Sequence, residues 1–276
     1  MAIIVGGFIL PHDPLIFAAP TAVQPSRREA VMNAFERIRM RIAELDADTA
    51  IIVGADHYIL FGPNNLPSML IGIGDVEGPI EKFSGIEQGP IPNNEPLARH
   101  ILKCGQEQEF DWSVAKSLTV DHSIGIAARL CALPNEGMRV IPIYLASGVE
   151  PMIRTRRAYD LGRLVQRAVA SWPADERVVV IGSGGISHWV GMPEMGRVNE
   201  AFDRMVLDCI VRGDAETLIN IPDDEVVAQA GNGALEIRHF LLAMGAVPDC
   251  EGELIAYEPV PEWITGLGFA ELRSRI

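Results

Sequence analysis

Val178-Val179-Val180-Ile181-Gly182-Ser183-Gly184-Gly185-Ile186-Ser187-His188-Trp189 is the stretch whose reading decides the fold. Its β-branched apolar run, entered through Glu176-Arg177, fits a strand buried on both faces, and such strands belong to sheets covered by helices on each side. The glycines that follow let the backbone turn sharply and approach a bound group closely. Ser187 and His188 are thereby projected just past the strand end, where open α/β sheets place their ligands. Two other chemistries lack support in the same residues. A dinucleotide fingerprint requires a third glycine three residues after Gly184, and position 187 is serine. Neither Ser183 nor Ser187 sits in the G-x-S-x-G of a hydrolase elbow. A tight left-handed turn followed by a hydrogen-bonded structural histidine is the other reading of this stretch.

The same strand-then-histidine pattern recurs upstream. Ala2 to Leu10 reads as a buried strand, and Pro11-His12-Asp13-Pro14 ends it because each proline removes a donor and restrains the residue before it. Thr49 to Ala55 is a second such strand, followed directly by Asp56-His57-Tyr58. Pro67 to Gly74 and Met138 to Leu145 complete the expected strands, while Leu254 to Tyr257 and Pro261 to Gly266 carry no assigned element. Apolar spacing predicts helices over Ser26–Leu45, Glu95–Cys104, Ile124–Leu133, Ile153–Trp172, Glu194–Val211 and Gly233–Met244, with Asp121-His122 at the start of the third. Asp75 to Asn94, rich in Gly, Pro and charge, is expected to be a surface loop near the pocket. Alternating strands and helices give an α/β fold: a single domain, residues 1–276, with a central mostly parallel or mixed sheet flanked by helices.

Composition narrows the function classes. Hydrophobic content of 48% with 22% charged residues is that of a folded soluble protein. The formal net charge of −14 argues against non-specific binding to nucleic acid or to an anionic membrane. Cys104, Cys131, Cys209 and Cys250 form no C-x-x-C pair, so reduced thiols in a cytoplasmic protein are expected. No apolar run approaches the roughly 18 residues of a membrane span. Arg154, Arg156 and Arg157 form the only dense basic cluster and read as a helix start on the surface.

Six histidines occur, at positions 12, 57, 100, 122, 188 and 239, and none belongs to H-E-x-x-H. A metal site must therefore be assembled from distant segments. Two imidazoles and one carboxylate on one face leave open positions for substrate and dioxygen, the geometry suited to non-haem Fe(II) oxygenases. His12, His57 and Glu236 can provide that set. Glu236 lies among Leu235, Ile237, Phe240, Leu241 and Leu242, and an unpaired buried charge is costly, so it needs a partner. Taken singly, each histidine also reads as a half-buried packing residue. Glu236 with His239 matches one E-x-x-H half of a di-iron bundle, but the second copy is absent. His100 and His239 are read as surface or packing residues.

Five segments together resemble the class III extradiol ring-cleavage dioxygenases. They are Leu10-Pro11-His12-Asp13-Pro14, Gly54-Ala55-Asp56-His57-Tyr58, Val120-Asp121-His122, Gly182-Ser183-Gly184-Gly185-Ile186-Ser187-His188 and Pro261-Glu262-Trp263-Ile264-Thr265-Gly266. The resemblance implies Fe(II) held by His12, His57 and Glu236, with His188 as catalytic acid/base and His122 as a histidine beside the substrate. It implies cleavage of an aromatic diol by dioxygen, both oxygen atoms entering a muconic-semialdehyde type of product. It also implies a homo-oligomer and leaves a small second subunit as a further partner. Pro11 and Ser123 depart from the family pattern, where serine and glycine are common, and both lie against the expected pocket. A non-catalytic member of the same superfamily and a zinc hydrolase remain as alternatives, which oxygen dependence separates.

Overall fold

The computed structural model describes residues 1–275. Arg177–Ser183 is strand β6 at the centre of the sheet, with β1 (Ile3–Leu10) and β2 (Thr49–Gly54) parallel on either side. Val178 and Val180 point into one core, Val179 and Ile181 into the other, and all four are fully buried. That two-sided burial is why the run is apolar at every position instead of alternating. β5 (Arg139–Leu145) extends the parallel core beyond β2. β3 (Met69–Glu77) then pairs antiparallel with β5, and β4 (Ser113–Thr119) parallel with β3. On the other side β8 (Thr265–Ser274) and β7 (Cys250–Val260) add an antiparallel hairpin. The order is β4-β3-β5-β2-β6-β1-β8-β7, a mixed sheet in an α/β fold as expected.

One face is covered by α1 (Leu15–Ala18), α2 (Pro25–Glu44) and α4 (His122–Ala127), which continues as a π-helical turn over Ala128–Ala132. The other carries α3 (Glu95–Glu107), α5 (Thr155–Ser171), α6 (Glu200–Arg212), α7 (Ala215–Ile219), α8 (Asp223–Ala230) and α9 (Ile237–Ala246). No described helix is long and apolar enough to cross a membrane. The four cysteines are free. The basic cluster does sit at the start of α5: Arg156 pairs with Glu216, and the Arg157 guanidinium lies 3.5 Å over the Phe110 ring.

Local chemistry moved several boundaries. The expected helix from Glu194 begins only at Glu200, because the Asn199 side chain accepts the Phe202 N–H at 3.3 Å and Gly196 upstream has φ 96°. The helix expected from Gly233 opens as a 3₁₀ turn, Gly233–Glu236, so Glu236 lies at the end of that turn, immediately before α9. β3 runs on to Glu77 inside the expected loop. β4, β7 and β8 had no counterpart in the sequence reading. β4 is a half-exposed edge strand broken by Lys116 and Ser117, and β8 carries Gly266, Gly268 and a buried Glu271 that is neutralised by Arg41 and Arg273.

β2, β6 and β1 are neighbours, so the residues following their C-terminal ends, His57, His188 and His12, meet at one edge of the sheet. His122 arrives differently. β3 pairs with β5 only over Met69–Ile71, and its pairing with β4 continues past a register shift between Gly72 and Asp75 to Glu77 and Thr119. Val120 is buried in the same core as the apolar residues of α2 and α4, and Asp121 reaches the residue after β2 through its 2.9 Å contact with His57 Nδ1. A Cβ on Gly54 would stand 2.4 Å from Ser123 Oγ, so this docking requires glycine at the end of β2.

Candidate metal centre

Glu236 is the hub. Its Oε1 lies 3.1 Å from His12 Nε2 and 3.4 Å from His57 Nε2. Its Oε2 accepts the Gly185 N–H at 2.9 Å and stands 3.9 Å from His188 Nε2. The carboxylate can approach β6 this closely because a Cβ on Gly184 would meet Glu236 Cβ and Oε2, each at 3.0 Å. None of Gly182, Gly184 and Gly185 has positive φ, so these glycines serve close packing and not a left-handed turn. Ring nitrogens of His12, His57 and His122 lie within 4.8 Å of one another. His122 stacks on His57 with centroids 4.2 Å apart.

Each of these side chains is held from behind. His57 Nδ1–H donates to Asp121 Oδ2 at 2.9 Å. Asp121 Oδ1 in turn accepts the Tyr144 hydroxyl at 3.0 Å, the Ser123 hydroxyl at 2.6 Å and the Ser123 N–H at 3.1 Å. Serine at position 123 thus adds a donor that glycine cannot supply. His12 Nδ1 meets Ser183 Oγ at 3.1 Å, and His122 Nδ1 donates to Glu81. His188 Nδ1–H donates to the Ile186 carbonyl at 3.1 Å, leaving Nε2 with its lone pair toward the centre. The turn bearing Glu236 is clamped by the buried Arg238, which donates to the carbonyls of Ile153 and Leu235 and to Asp223.

The electrostatics follow from burial and pairing. Burial opposes a charge on Glu236, but the neighbouring His12 and His57 hold its carboxyl well below the ordinary range. Asp121 is lowered in the same sense: burial is outweighed by its hydrogen bond to His57 and the charges of His57 and His122. His57, despite burial, is pushed up to about 10 by Asp121 and Glu236, so without metal it carries a proton. Burial lowers His12, and it lowers His239 to about 4. Burial also raises Asp13 to about 6.

Two imidazoles and a carboxylate oxygen converging on one point, with outer nitrogens fixed by a carboxylate and a hydroxyl, are the donor set and support that a divalent first-row metal takes. Residues 6–268 match the family described as the catalytic LigB subunit of aromatic ring-opening dioxygenase. The chain belongs to that family. A Burkholderia vietnamiensis 2,3-dihydroxyphenylpropionate/2,3-dihydroxicinnamic acid 1,2-dioxygenase is 28% identical, over 89% of this chain and 92% of its own. The Klebsiella pneumoniae enzyme of the same name is 24% identical, over 97% and 98%. An uncharacterised Escherichia coli K12 protein of known crystal structure shares the fold, with a TM-score of 0.64 at 14% identity over 96% of this chain and 99% of its own. This LigB-family protein is a ring-opening dioxygenase of the extradiol type.

In this LigB-family chain the five residues singled out in the sequence, His12, His57, His122, His188 and Glu236, all come together. His100 lies apart, bonded to Ser171, and His239 is fully buried against the Ser183 carbonyl, a packing role in both cases. Asp121, Glu81, Ser183 and Asp13 were not foreseen as site residues, although all but Glu81 sit inside the quoted motifs. Replacement Asp121→Asn removes the carboxylate behind His57. It is expected to weaken metal affinity by about 10- to 100-fold, which anaerobic competition with a chelator measures. Affinity within twofold of the parent would show that Asp121 does not tune the centre.

Proposed function

We propose that this chain is an Fe(II)-dependent extradiol dioxygenase acting on a catechol-type aromatic diol, with His12, His57 and Glu236 as the metal ligands. The observation carrying the proposal is the single carboxylate oxygen within 3.4 Å of two imidazole Nε2 atoms, with a third imidazole facing its other oxygen at 3.9 Å. The relatives' names support a ring diol as substrate, since they specify 2,3-dihydroxyphenylpropionate and 2,3-dihydroxicinnamic acid. When bound, the ferrous ion supplies a Lewis acid that eases ionisation of the diol and a redox centre that lets ground-state dioxygen react. His188 is the acid/base: with Nδ1–H committed to the Ile186 carbonyl, Nε2 takes a proton from the substrate hydroxyl and returns it to the opened product. His122, pinned by Glu81 and stacked on His57, lines the substrate face. Tyr144, Ser123 and Asp121 keep the His57 ring in the tautomer that turns Nε2 inward.

The test is direct. Protein reconstituted anaerobically with Fe(II) is expected to consume one dioxygen per diol and form a yellow ring-opened product from at least one member of a catechol panel, whereas zinc-loaded protein consumes none. Iron-loaded protein that takes up no oxygen across the panel overturns the proposal.

A further inference from the structure

β1 and β6 end at the metal centre, and the residues at their opposite, N-terminal ends line a cavity of about 620 Å³. That volume falls within the roughly 300–1,000 Å³ of small-molecule sites. Its walls come from five elements whose repeats bring side chains to it in pairs. Arg41 and Leu45, four apart at the end of α2, share one helix face, as do Gln166 and Ala170 on α5. Glu271 and Arg273, two apart on β8, share a strand face. Ile3 and Val5 of β1 add to the apolar lining, and Arg177 stands at the start of β6.

The charges around this cavity are unevenly matched. Glu271 accepts from Arg41 Nε at 2.8 Å and from Arg273 Nη2 at 2.7 Å. Those two guanidiniums are matched further by Glu44 and Glu253, neither of which lines the cavity. Arg177 is different. Its Nε donates to the Leu45 carbonyl at 2.9 Å, while Asp48, which accepts its backbone N–H, pairs with Arg139 instead. Among the described residues no carboxylate forms an ion pair with Arg177, and the Gln166 side-chain amide makes no hydrogen bond. In a chain of formal net charge −14, this cavity thus keeps one cation without an anion.

A guanidinium presents a planar fork of donors that fits a carboxylate, and an amide beside it supplies a further N–H. Apolar walls gain by covering with hydrocarbon, which a bare inorganic anion lacks. We propose that this cavity is a second ligand site, taking one small organic carboxylate with a hydrocarbon body. Arg177 and Gln166 bind the carboxylate, and Ile3, Val5, Leu45 and Ala170 receive the hydrocarbon.

Anaerobic calorimetry on the iron-loaded protein tests it, with hexanoate, hexanamide and inorganic phosphate as probes. Hexanoate is expected to bind once per chain and hexanamide at least about tenfold more weakly, because hydrogen bonds to a charged partner are the stronger ones. Phosphate should bind more weakly than hexanoate, having no hydrocarbon to cover the apolar lining. Gln166→Glu sets a like charge beside the carboxylate at a half-exposed helix position, far from the metal ligands in the fold. It is expected to weaken hexanoate at least about tenfold. Arg177→Met keeps the aliphatic stem and should bring hexanoate and hexanamide to within about twofold of each other. A merely structural role for Arg177 would weaken both and keep their ratio, and that result overturns the proposal. So does a parent protein that binds hexanamide or phosphate as tightly as hexanoate, or that binds no hexanoate. Unchanged hexanoate affinity in Gln166→Glu overturns it too, since the acid then sits at another site, the metal centre included. No turnover is read, so the outcome stands apart from that of the extradiol proposal.

Discussion

Iron-loaded His188→Ala is expected to keep its metal and lose turnover by about three orders of magnitude, within the 10²- to 10⁴-fold range of a positioned proton-transfer group. The metal stays because His188 Nε2 is 3.9 Å from the nearer Glu236 oxygen and takes no part in the convergence of His12, His57 and Glu236 Oε1. The loop also stays. His188 N–H donates to the Ala230 carbonyl and its own carbonyl accepts the Gly233 N–H, so the backbone is tied independently of the ring. Next to it, Ser187 donates both N–H and hydroxyl to the buried Asp203, which Tyr257 holds at 2.7 Å. What the truncation removes is an imidazole whose Nδ1 is held by the Ile186 carbonyl and whose Nε2 stands 3.9 Å from Glu236 Oε2. Equilibrium diol binding, measured anaerobically, should change far less than turnover, as for an interaction made chiefly in the transition state. Turnover within a few-fold of the parent would remove His188 from the proton path.

How far the sequence reached is explained by what kind of signal each residue carries. His12, His57 and His188 were legible because each follows a strand whose apolar run is local and continuous, and parallel strands deliver such residues to one edge. Glu236 was legible as a charge that could not remain alone in an apolar segment. Its partners proved to be both early histidines and the Gly185 N–H. The supporting layer was not legible. Asp121 reaches His57 only because β3 abandons β5 after Ile71 and α4 docks on Gly54, a tertiary event with no periodic trace. Glu81 comes from the segment expected as a surface loop near the pocket, in which no single residue stood out. β4 and β8 fell outside the pattern because an edge strand with Lys116 and a strand with two glycines lack the apolar alternation that marks a strand.

Replacement of Glu236 by glutamine tests the hub itself. Glu236→Gln preserves volume and can still accept the Gly185 N–H, so the 3₁₀ turn clamped by Arg238 should hold. The charge that faces both Nε2 atoms disappears, and with it the only anionic donor among the three proposed ligands. Iron affinity is expected to fall by more than about 100-fold, beyond the loss from removing a partner one layer out. The pH dependence should change as well. In the metal-free parent, His57 is pushed up to about 10 with Glu236 as one of its two carboxylate partners. Metal entry therefore expels its proton, and affinity is expected to rise about tenfold per pH unit below that value. With glutamine at position 236 only Asp121 sustains the raised value, so the His57 proton leaves more easily and the slope near neutrality should flatten. Metal content after anaerobic gel filtration gives the first quantity, and chelator competition between pH 6 and 8 gives the second. A Glu236→Gln protein that retains stoichiometric iron with an unchanged pH slope would mean that the carboxylate does not bind the metal. The third imidazole within 4.8 Å, His122, would then have to be the ligand that completes the set.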